Sequence, residues 1–293
     1  LQAGRKGYRA LWQHIIDVSV EDIRKNYEKL NVEFDLWKKE SDAQKYIPDM
    51  VAMMKEKGYA YESDGALVVD VKQPEDKKEI PPCIIIKSNG ATNYETTDLA
   101  TIIERVKLFD ADEIIYVVDK RQELHFDQVF RCARKTGLVT DDTGLVFVGF
   151  GTMNGKDGKP FKTRDGGVLR LETLISEINE AVYNRIMENR EMEEDEARQV
   201  AAMVGLSALK YGDLSNQASK DYIFDVDRFT SFEGNTGPYI LYSIVRIKSV
   251  LNRFAGEGGN PDSCNSIIAP ANDTEVNVML QLVRYNEMIE QAY

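Results

Sequence analysis

The sequence has little cysteine or histidine, and this scarcity excludes several kinds of site. Its 293 residues include three cysteines, Cys83, Cys132 and Cys264, which lie far apart and form no C-x-x-C pair. Neither a disulfide framework nor a zinc knuckle is therefore indicated. With only two histidines, His14 and His125, a site built from several histidines is also excluded, and we expect no structural metal.

Long apolar runs are missing as well. No stretch approaches the roughly 18 consecutive apolar residues of a membrane span, and no signal-peptide pattern opens the chain. We therefore expect no membrane association and a location in the reducing cytoplasm. The chain starts at Leu1 rather than at methionine, and no capping signal precedes Tyr293. We interpret the sequence as a fragment.

Positive charge is in deficit, because the formal net charge is −12. This balance argues against a protein that coats nucleic acid over its whole surface, although a local basic patch can still bind it. The remaining composition is globular, with 43% hydrophobic and 29% charged residues. The length suits one large or two ordinary domains.

Strands and helices alternate regularly in the first half of the chain. Short β-branched runs indicate buried strands, and apolar residues at helical spacing lie between them. We predict strands at Val32–Trp37, Ala66–Val71, Ile84–Lys87, Glu113–Val118 and Leu145–Phe150, and helices at Asp49–Lys57, Asp98–Phe109 and Glu123–Lys135. The alternation favours an α/β fold with a parallel sheet.

Beyond Gly167 the pattern is helical. We predict helices at Leu171–Asn189, Arg198–Tyr211 and Tyr239–Phe254 and a last helix from Asp273. The sequence is therefore divided into an α/β domain at residues 1–170 and an all-α bundle at residues 171–293.

The turn after Ile84–Lys87 is the first candidate site. Ligands of open α/β sheets bind where a strand ends and the next helix begins. Thr96 or Thr97 is placed to cap that helix, and Tyr94 and Asp98 are four residues apart, so both can face one cleft. A carboxylate there suits a cationic group, and the ring suits its apolar stem. The alternative is that Asp98 only stabilises the helix N-terminus and that Tyr94 only packs.

A glycine-rich loop at Gly149–Gly167 is the second candidate. It carries Lys156, Lys159, Lys162 and Arg164, and its glycines let backbone amides approach a ligand closely. That composition fits a phosphate-contacting loop, and it equally fits a solvated hairpin with a positive tip. The loop has neither G-x-x-x-x-G-K-[ST] nor G-x-G-x-x-G, so neither a Walker-type loop nor a dinucleotide fold is supported.

Five long segments together carry a family resemblance. In chain order they are FDLWKKESDA at Phe34–Ala43, KSNGATNYETTDLA at Lys87–Ala100, IYVVDKRQELHFDQVF at Ile115–Phe130, GFGTMNGKDGKPFKTRDGG at Gly149–Gly167, and DYIFDVDRFTSFEGNTGPYILY at Asp221–Tyr242. With these segments the chain resembles arginyl-tRNA synthetase, a class I aminoacyl-tRNA synthetase. The resemblance implies the second half of a Rossmann-like catalytic domain, followed by a helical anticodon-binding domain. The family's His-Ile-Gly-His motif does not occur in this sequence.

The resemblance also implies roles for particular residues. Substrate arginine would be held by Asp35, Tyr94, Asp98 and Gln122. The nucleotide side would be formed by His125, Gln128, Met153, Lys159 and Thr163, and the mobile catalytic loop of the class would supply Lys162 and Arg164. Two carboxylates with an aromatic wall select a planar guanidinium over the point charge of lysine.

The resemblance implies ATP-dependent ligation of arginine to its tRNA through an arginyl-adenylate. ATP would enter with Mg²⁺, tRNA(Arg) and arginine would be the other partners, and a monomer is expected. Two alternatives stay open: a module that binds arginine or tRNA without activating either, and a different nucleotide-binding α/β transferase. The candidate residues for tRNA contact are Arg246, Lys248 and Arg253. The alternative is that they form only a solvated helix face.

Overall fold

A computed structural model describes residues 5–160, 170–189, 192–263 and 268–292 of the chain. The elements are α1 (Lys6–Lys29), a 3-10 helix (Glu40–Tyr46), α2 (Ile47–Glu56), β1 (Ala60–Ser63), β2 (Ala66–Val69), β3 (Cys83–Ile86), α3 (Tyr94–Phe109), β4 (Glu113–Asp119), a 3-10 turn (Lys120–Gln122), α4 (Glu123–Thr136), β5 (Gly144–Phe150), β6 (Met153–Asn154), α5 (Leu171–Asn189), α6 (Glu194–Leu214), β7 (Tyr222–Ile223), α7 (Val226–Phe229), α8 (Gly237–Gly256), a 3-10 turn (Pro261–Ser263), α9 (Asp273–Val283) and α10 (Tyr285–Ala292). Most predicted helices and strands are therefore confirmed within a few residues.

The chain divides into two compact units, residues 1–239 and residues 240–293. The first unit contains the strands of the described chain, and the second contains most of α8 together with α9 and α10. The single helix predicted from Asp273 is in fact two helices, because α9 ends at Val283, Arg284 caps it, and α10 begins at Tyr285. The predicted boundary between residues 170 and 171 stays a prediction.

The described strands form two parallel pairs, β4–β5 and β6–β7, and one antiparallel sheet of three strands. β4 and β5 are parallel, with Glu113 opposite Gly144 and Asp119 opposite Phe150. β3 is not part of that ladder: it pairs antiparallel with β2, which in turn pairs antiparallel with β1. One apolar core joins these layers, and its fully buried members include Val69, Ile85, Leu99, Ile102, Val129 and Cys132. The expected parallel pairing is thus found in β4 and β5, whereas β3 pairs with the β1–β2 hairpin, whose second strand was predicted and whose first strand was not.

The start of α3 differs from the prediction. The helix begins at Tyr94 rather than near Asp98, and its N-cap is Asn93 rather than Thr96 or Thr97. The backbone N–H of Asn93 donates to Thr96 Oγ1 at 3.1 Å, and that hydroxyl donates to the Ile85 carbonyl at 2.6 Å. Thr96 therefore ties the first turn of α3 to the end of β3. Tyr94 and Asp98 are consequently both on the helix, one turn apart.

The strand predicted at Val32–Trp37 is wrong. No ladder forms there, and three aromatic rings pack edge to face instead: the ring centroids of Tyr27 and Phe34 are 4.7 Å apart, and those of Tyr27 and Trp37 are 5.8 Å apart. Arg24 lies 4.5 Å above the Trp37 ring. The apolar alternation of this segment reflects packing against the end of α1, not strand pairing.

One side of α4 holds the long connection between β2 and β3. Gln128 Nε2 donates to the Pro81 carbonyl at 2.7 Å, and Lys135 Nζ donates to the Asp70 carbonyl at 2.6 Å. Between them, Arg131 pairs with Asp76 at 2.7 Å and with Asp127 at 2.8 Å. These three donors are spaced three and four residues apart, so they share one helix face. They satisfy backbone groups of a segment that has no ladder of its own.

We expect this connection to be sensitive to acid. The backbone N–H of Gln73 and the Arg131 guanidinium lower the pKa of Asp76. A carboxylate with a lowered folded-state pKa stabilises the fold above its unfolded pKa, about 3.9, and loses that contribution as the pH falls through its folded value. Asp76→Asn should lower the unfolding midpoint by about 2 to 4 °C at neutral pH, and by less near pH 3.

A matched control is Asp141→Asn, because the Asp141 side chain is fully exposed and lies 4.0 Å from Arg134. Calorimetry at both pH values compares the two variants with the parent chain. Equal shifts for Asp76→Asn and Asp141→Asn would contradict a specific role for Asp76.

Candidate active site

Two of the four predicted arginine ligands, Tyr94 and Asp98, lie on the first two turns of α3. A tight turn, closed by the Gly90 N–H donating to the Lys87 carbonyl at 2.8 Å, leads from β3 to this helix. Tyr94 is 71% exposed, so its ring does not pack into the core. Asp98 is partly buried one turn further on. The alternative that Asp98 acts only in the first turn fails, because α3 starts four residues before it.

Asp98 is paired with a histidine from α4. His125 Nε2 lies 2.6 Å from Asp98 Oδ2, and His125 Nδ1 lies 3.9 Å from Glu95 Oε1. The hydrogen bond to Asp98 raises the pKa of His125, against the opposing effect of burial, and the charges of Asp98 and Glu95 raise it further. The sequence prediction placed His125 on the nucleotide side. In the structure, His125 instead contacts Asp98, a residue predicted to bind arginine.

Glu95 is the residue that the prediction missed. It is three residues before Asp98, so both carboxylates lie on the face of α3 that meets His125. Its side chain is 17% exposed, and Glu95 Oε2 is buried without a hydrogen-bond partner among the described residues. The helical spacing alone would have found it, had the helix been started at Tyr94. The site therefore contains two carboxylates and one imidazole.

An aromatic cluster forms the floor beneath this group. The His125 ring meets Phe126 edge on at 5.0 Å, and Phe126 packs against Tyr116 at 4.7 Å. Burial raises the pKa of Tyr116 to about 12, so the phenol is neutral at physiological pH. Arg105 lies 4.7 Å above the Tyr116 ring. The apolar floor reduces solvent around the carboxylates and strengthens their interactions.

The other predicted arginine ligands are not in contact with this group. Asp35 is exposed in the connection after α1, and Gln122 is exposed at the end of the 3-10 turn that precedes α4. Within the described chain, neither makes a hydrogen bond to Asp98 or His125. In that turn, Asp119 binds Arg121 at 2.6 Å, and this partner together with the Arg121 N–H lowers the pKa of Asp119 to about 2. The turn is therefore well ordered by its own residues.

A wide cleft of about 1570 Å³ opens beside Tyr94. It lies between α1, the 3-10 helix at Glu40–Tyr46 and the β3–α3 turn. Its cationic and aromatic lining consists of Arg9, Trp12, Lys39, Lys87 and Tyr94. Such a lining suits an anionic ligand that also carries a planar ring.

The glycine-rich loop is described only as far as Pro160, so the predicted residues Lys162, Thr163 and Arg164 lie outside the described residues. Its first part pairs with the segment at Asp221–Tyr242: β6 and β7 are parallel, and the Thr152 N–H donates to Asp221 Oδ1 at 2.9 Å. A Cβ at Gly151 would lie 2.3 Å from the Lys220 backbone, so only glycine fits.

The cations of this loop have different surroundings. Lys156 lies 2.7 Å from Asp227 and 3.0 Å from Asp225, and these hydrogen bonds raise the pKa of Lys156. Lys159 is exposed. Met153, a predicted nucleotide residue, is half-buried and packs against the core between α5 and α6. Lys159 is thus the cation of the described loop that remains for a phosphate.

Gln128, also assigned to the nucleotide side, is 8% exposed and donates to Pro81 as described above. Among the described residues, no group of three or more His, Cys, Asp or Glu side chains is arranged to hold a metal ion. The described helices include none that is long and apolar enough to cross a membrane.

The fold is that of the class I tRNA synthetases. The arginyl-tRNA synthetase of Plasmodium falciparum matches it with a TM-score of 0.78 at 23% identity, over 98% of this chain and 48% of that one. The Thermus thermophilus arginyl-tRNA synthetase matches with a TM-score of 0.75 at 20% identity, over 97% of this chain and 52% of that one. At these identities the likeness concerns the fold alone.

Sequence relatives define the family within that class. Residues 1–226 match the family described as "tRNA synthetases class I (R), catalytic domain", and the chain belongs to this family. A protein of Agathobacter rectalis named arginine–tRNA ligase is 62% identical over 300 aligned residues, and one of the same name from Alkaliphilus oremlandii is 59% identical over 293. Each alignment covers 100% of this chain and 50% of the relative. The chain spans about half the length of these curated relatives.

Proposed function

We propose that this chain supplies part of the active site of an ATP-dependent ligase that joins L-arginine to tRNA(Arg) through an arginyl-adenylate. The observation that carries the proposal is the pair of carboxylates, Glu95 and Asp98, one turn apart on α3 and next to the exposed Tyr94 ring. The names of the relatives support the same activity.

The proposed arginine pocket follows from the chemistry of guanidinium. This group is planar, always protonated and rich in donors, whereas an ionised carboxylate only accepts. Asp98 would accept from the guanidinium, and Tyr94 would cover the methylene stem. We also propose Asp35 and Gln122 as arginine ligands, on the basis of the family resemblance. Both side chains are exposed, and neither makes a hydrogen bond to Asp98 or His125 in the described chain.

The activation step requires positioning rather than a protein nucleophile. The carboxylate of arginine would attack the α-phosphorus of ATP, the bond to the β-phosphate would break, and pyrophosphate would leave. A terminal ribose hydroxyl of tRNA would then attack the adenylate carbonyl and release AMP. Lys159, with Lys162 and Arg164, would offset phosphate charge, and Met153 and Thr163 would line the nucleotide side. Mg²⁺ would enter bound to ATP as part of the substrate.

We make further proposals about the domains, the tRNA contacts, the oligomeric state and the location of the protein. Residues 1–170 would form the second half of the catalytic domain, and residues 171–293 a helical domain that contacts tRNA through Arg246, Lys248 and Arg253. The protein would act as a monomer in the cytoplasm. A module that binds arginine or tRNA without activation is the alternative, because the chain spans half the length of its relatives.

Pyrophosphate exchange into ATP tests the proposal. We expect arginine-dependent exchange, with tRNA present, for the full-length protein and not for residues 1–293 alone, which lack a His-Ile-Gly-His motif. Lysine and citrulline should not replace arginine, since one lacks the planar group and the other lacks its charge. Arginine or tRNA binding without exchange in the full-length protein would favour the binding module. Exchange with a different amino acid would contradict the proposal.

A further inference from the structure

We propose that His125 is a positioning residue for arginine: it holds the Asp98 carboxylate in place, and arginine binds best when the imidazole is neutral, so that binding releases the proton of Nδ1. This inference rests on the proposed function. It assigns His125 to the amino-acid side of the site rather than to the nucleotide.

The contact geometry fixes which nitrogen carries which hydrogen. An ionised carboxylate can only accept, so the 2.6 Å contact between His125 Nε2 and Asp98 Oδ2 requires a hydrogen on Nε2. The neutral imidazole then has a bare Nδ1, which faces Glu95 Oε1 at 3.9 Å. The proton that His125 gains or loses is therefore the one on Nδ1, and solvent can take it because the side chain is 22% exposed.

This arrangement leaves half of the Asp98 carboxylate for a ligand. No described residue donates a hydrogen bond to Oδ1, and the side chain of Asp98 is 27% exposed. His125 thus holds Oδ2, and Oδ1 has no donor among the described residues. A carboxylate that is held before binding loses less side-chain entropy when the guanidinium arrives.

Charge determines how the two protonation states differ. With a protonated His125, the group of Glu95, Asp98 and His125 carries one net negative charge, and with a neutral His125 it carries two. A guanidinium at Asp98 would lie within a few ångströms of the imidazole, so it is repelled by the protonated form and not by the neutral one. By linkage, a ligand that binds one protonation state better must shift the protonation equilibrium by the same factor.

No other group near His125 is expected to titrate between about pH 6 and pH 8.5. From β4, Tyr116 stays protonated, because burial raises its pKa to about 12. From β3, Cys83 stays a thiol, because a hydrogen bond with Cys132 and burial both raise its pKa. Two carboxylates on α4 and in the turn before it have a cationic partner: Asp127 pairs with Arg131, and Asp119 pairs with Arg121. A third, Glu123, is exposed. The pH dependence is thus assigned to His125, with Asp98 and Glu95 as the charges that set it.

The test measures the KM for arginine and the KM for ATP against pH in the full-length protein with tRNA present. For the unaltered protein, we expect the arginine KM to fall about tenfold from about pH 6 to about pH 8.5, with a smaller change in kcat. His125→Gln keeps an amide donor near the Nε2 position and cannot be protonated, so its arginine KM should be nearly independent of pH. His125→Lys keeps a permanent cation, so its arginine KM should stay high across the same range.

Calorimetry of arginine binding in buffers of different ionisation enthalpy supplies a readout that does not depend on catalysis. Near the pKa of His125, we expect the unaltered protein to release a fraction of one proton per arginine bound, and His125→Gln to release none from this group. Protonation of arginine itself contributes equally to both proteins, so the difference between them isolates His125.

Each outcome decides between the interpretations. The same arginine pH profile in the unaltered protein and in His125→Gln would overturn the inference, and so would a rise confined to the KM for ATP, which would return His125 to the nucleotide side. Arginine that fails to bind the unaltered protein at any pH would instead overturn the proposed function. Arginine that binds independently of pH would leave the proposed function standing without this role for His125.

Discussion

Asp98→Asn in the full-length protein is expected to raise the KM for arginine about 5- to 150-fold, which corresponds to about 1 to 3 kcal/mol of lost binding. The asparagine keeps the size of the side chain and removes its charge, so a charge-assisted contact to guanidinium becomes a neutral one. The same change replaces the carboxylate that accepts from His125 Nε2 at 2.6 Å. The variant therefore loses the negative charge proposed to pair with guanidinium, and its contact with His125 becomes a weaker neutral hydrogen bond.

The KM for ATP and the discrimination against citrulline make this result specific. ATP should bind Asp98→Asn with less than about a twofold change in KM, because the cations that we propose for the phosphates belong to the glycine-rich loop. Citrulline, which carries a neutral urea group, should be rejected less strongly by the variant than by the unaltered protein. An unchanged arginine KM would show that the pocket has been assigned to the wrong residue.

A matched control lies at the other end of the same helix. Asp110 caps the C-terminus of α3 with φ of 45°, in the left-handed region. Asparagine adopts this conformation readily, so Asp110→Asn makes the same chemical change without strain and away from the site. Its arginine KM should match that of the unaltered protein.

Gly237→Ala is expected to lower the free energy of unfolding by about 2 to 4 kcal/mol. Gly237 opens α8 against the side of α6, and a Cβ at this position would lie 2.1 Å from the Ser207 carbonyl oxygen. The obstacle is helix backbone rather than the end of a flexible side chain, so the two elements would have to separate. The following residue, Pro238, adds a second restriction, because a residue with a Cβ is disfavoured in the helical region before proline.

Gly256→Ala is the control on the same helix. Gly256 ends α8, a Cβ there meets nothing within 4 Å, and its φ is not positive. Alanine should therefore leave the free energy of unfolding unchanged or raise it by up to about 1 kcal/mol, because alanine lowers the conformational entropy of the unfolded chain. Urea unfolding of both variants, followed by circular dichroism, measures the difference. Equal midpoints for the two variants would contradict the close approach of Gly237 to the Ser207 backbone.

The sequence predicted helices and strands best where their structure depends on local side-chain periodicity. The β-branched run at Ile84–Ile86 and the stripe from Leu99 to Val106 predicted β3 and most of α3, since side-chain periodicity depends only on local geometry. The helix α5 was predicted with both of its ends. The sequence did not predict which strands pair with each other. β3 has the apolar pattern of a parallel strand, yet it pairs antiparallel with a hairpin whose first strand was missed.

The candidate site residues depended on the same local information. Tyr94 and Asp98 were proposed because residues four apart at a helix start can face one cleft, and the family resemblance supplied their proposed role. Glu95 was overlooked because the helix was started four residues too late, and Gln128 was given to the nucleotide although its amide is bonded to Pro81. The first error is local, whereas the Gln128 hydrogen bond joins residues 47 positions apart, which local spacing does not predict.

The sequence by itself determined the family, the α/β character of the first half, and the four-residue spacing of an aromatic residue and an acid where β3 leads into α3. Only the tertiary structure decided that the acid is held by His125 from α4 and that Glu95 stands on the other side of the same imidazole. The physical reason is that helical periodicity is local, whereas a hydrogen bond between residues 27 positions apart depends on how two helices pack. The charge of the proposed arginine pocket is therefore a property of the packed pair α3 and α4, and neither helix alone specifies it.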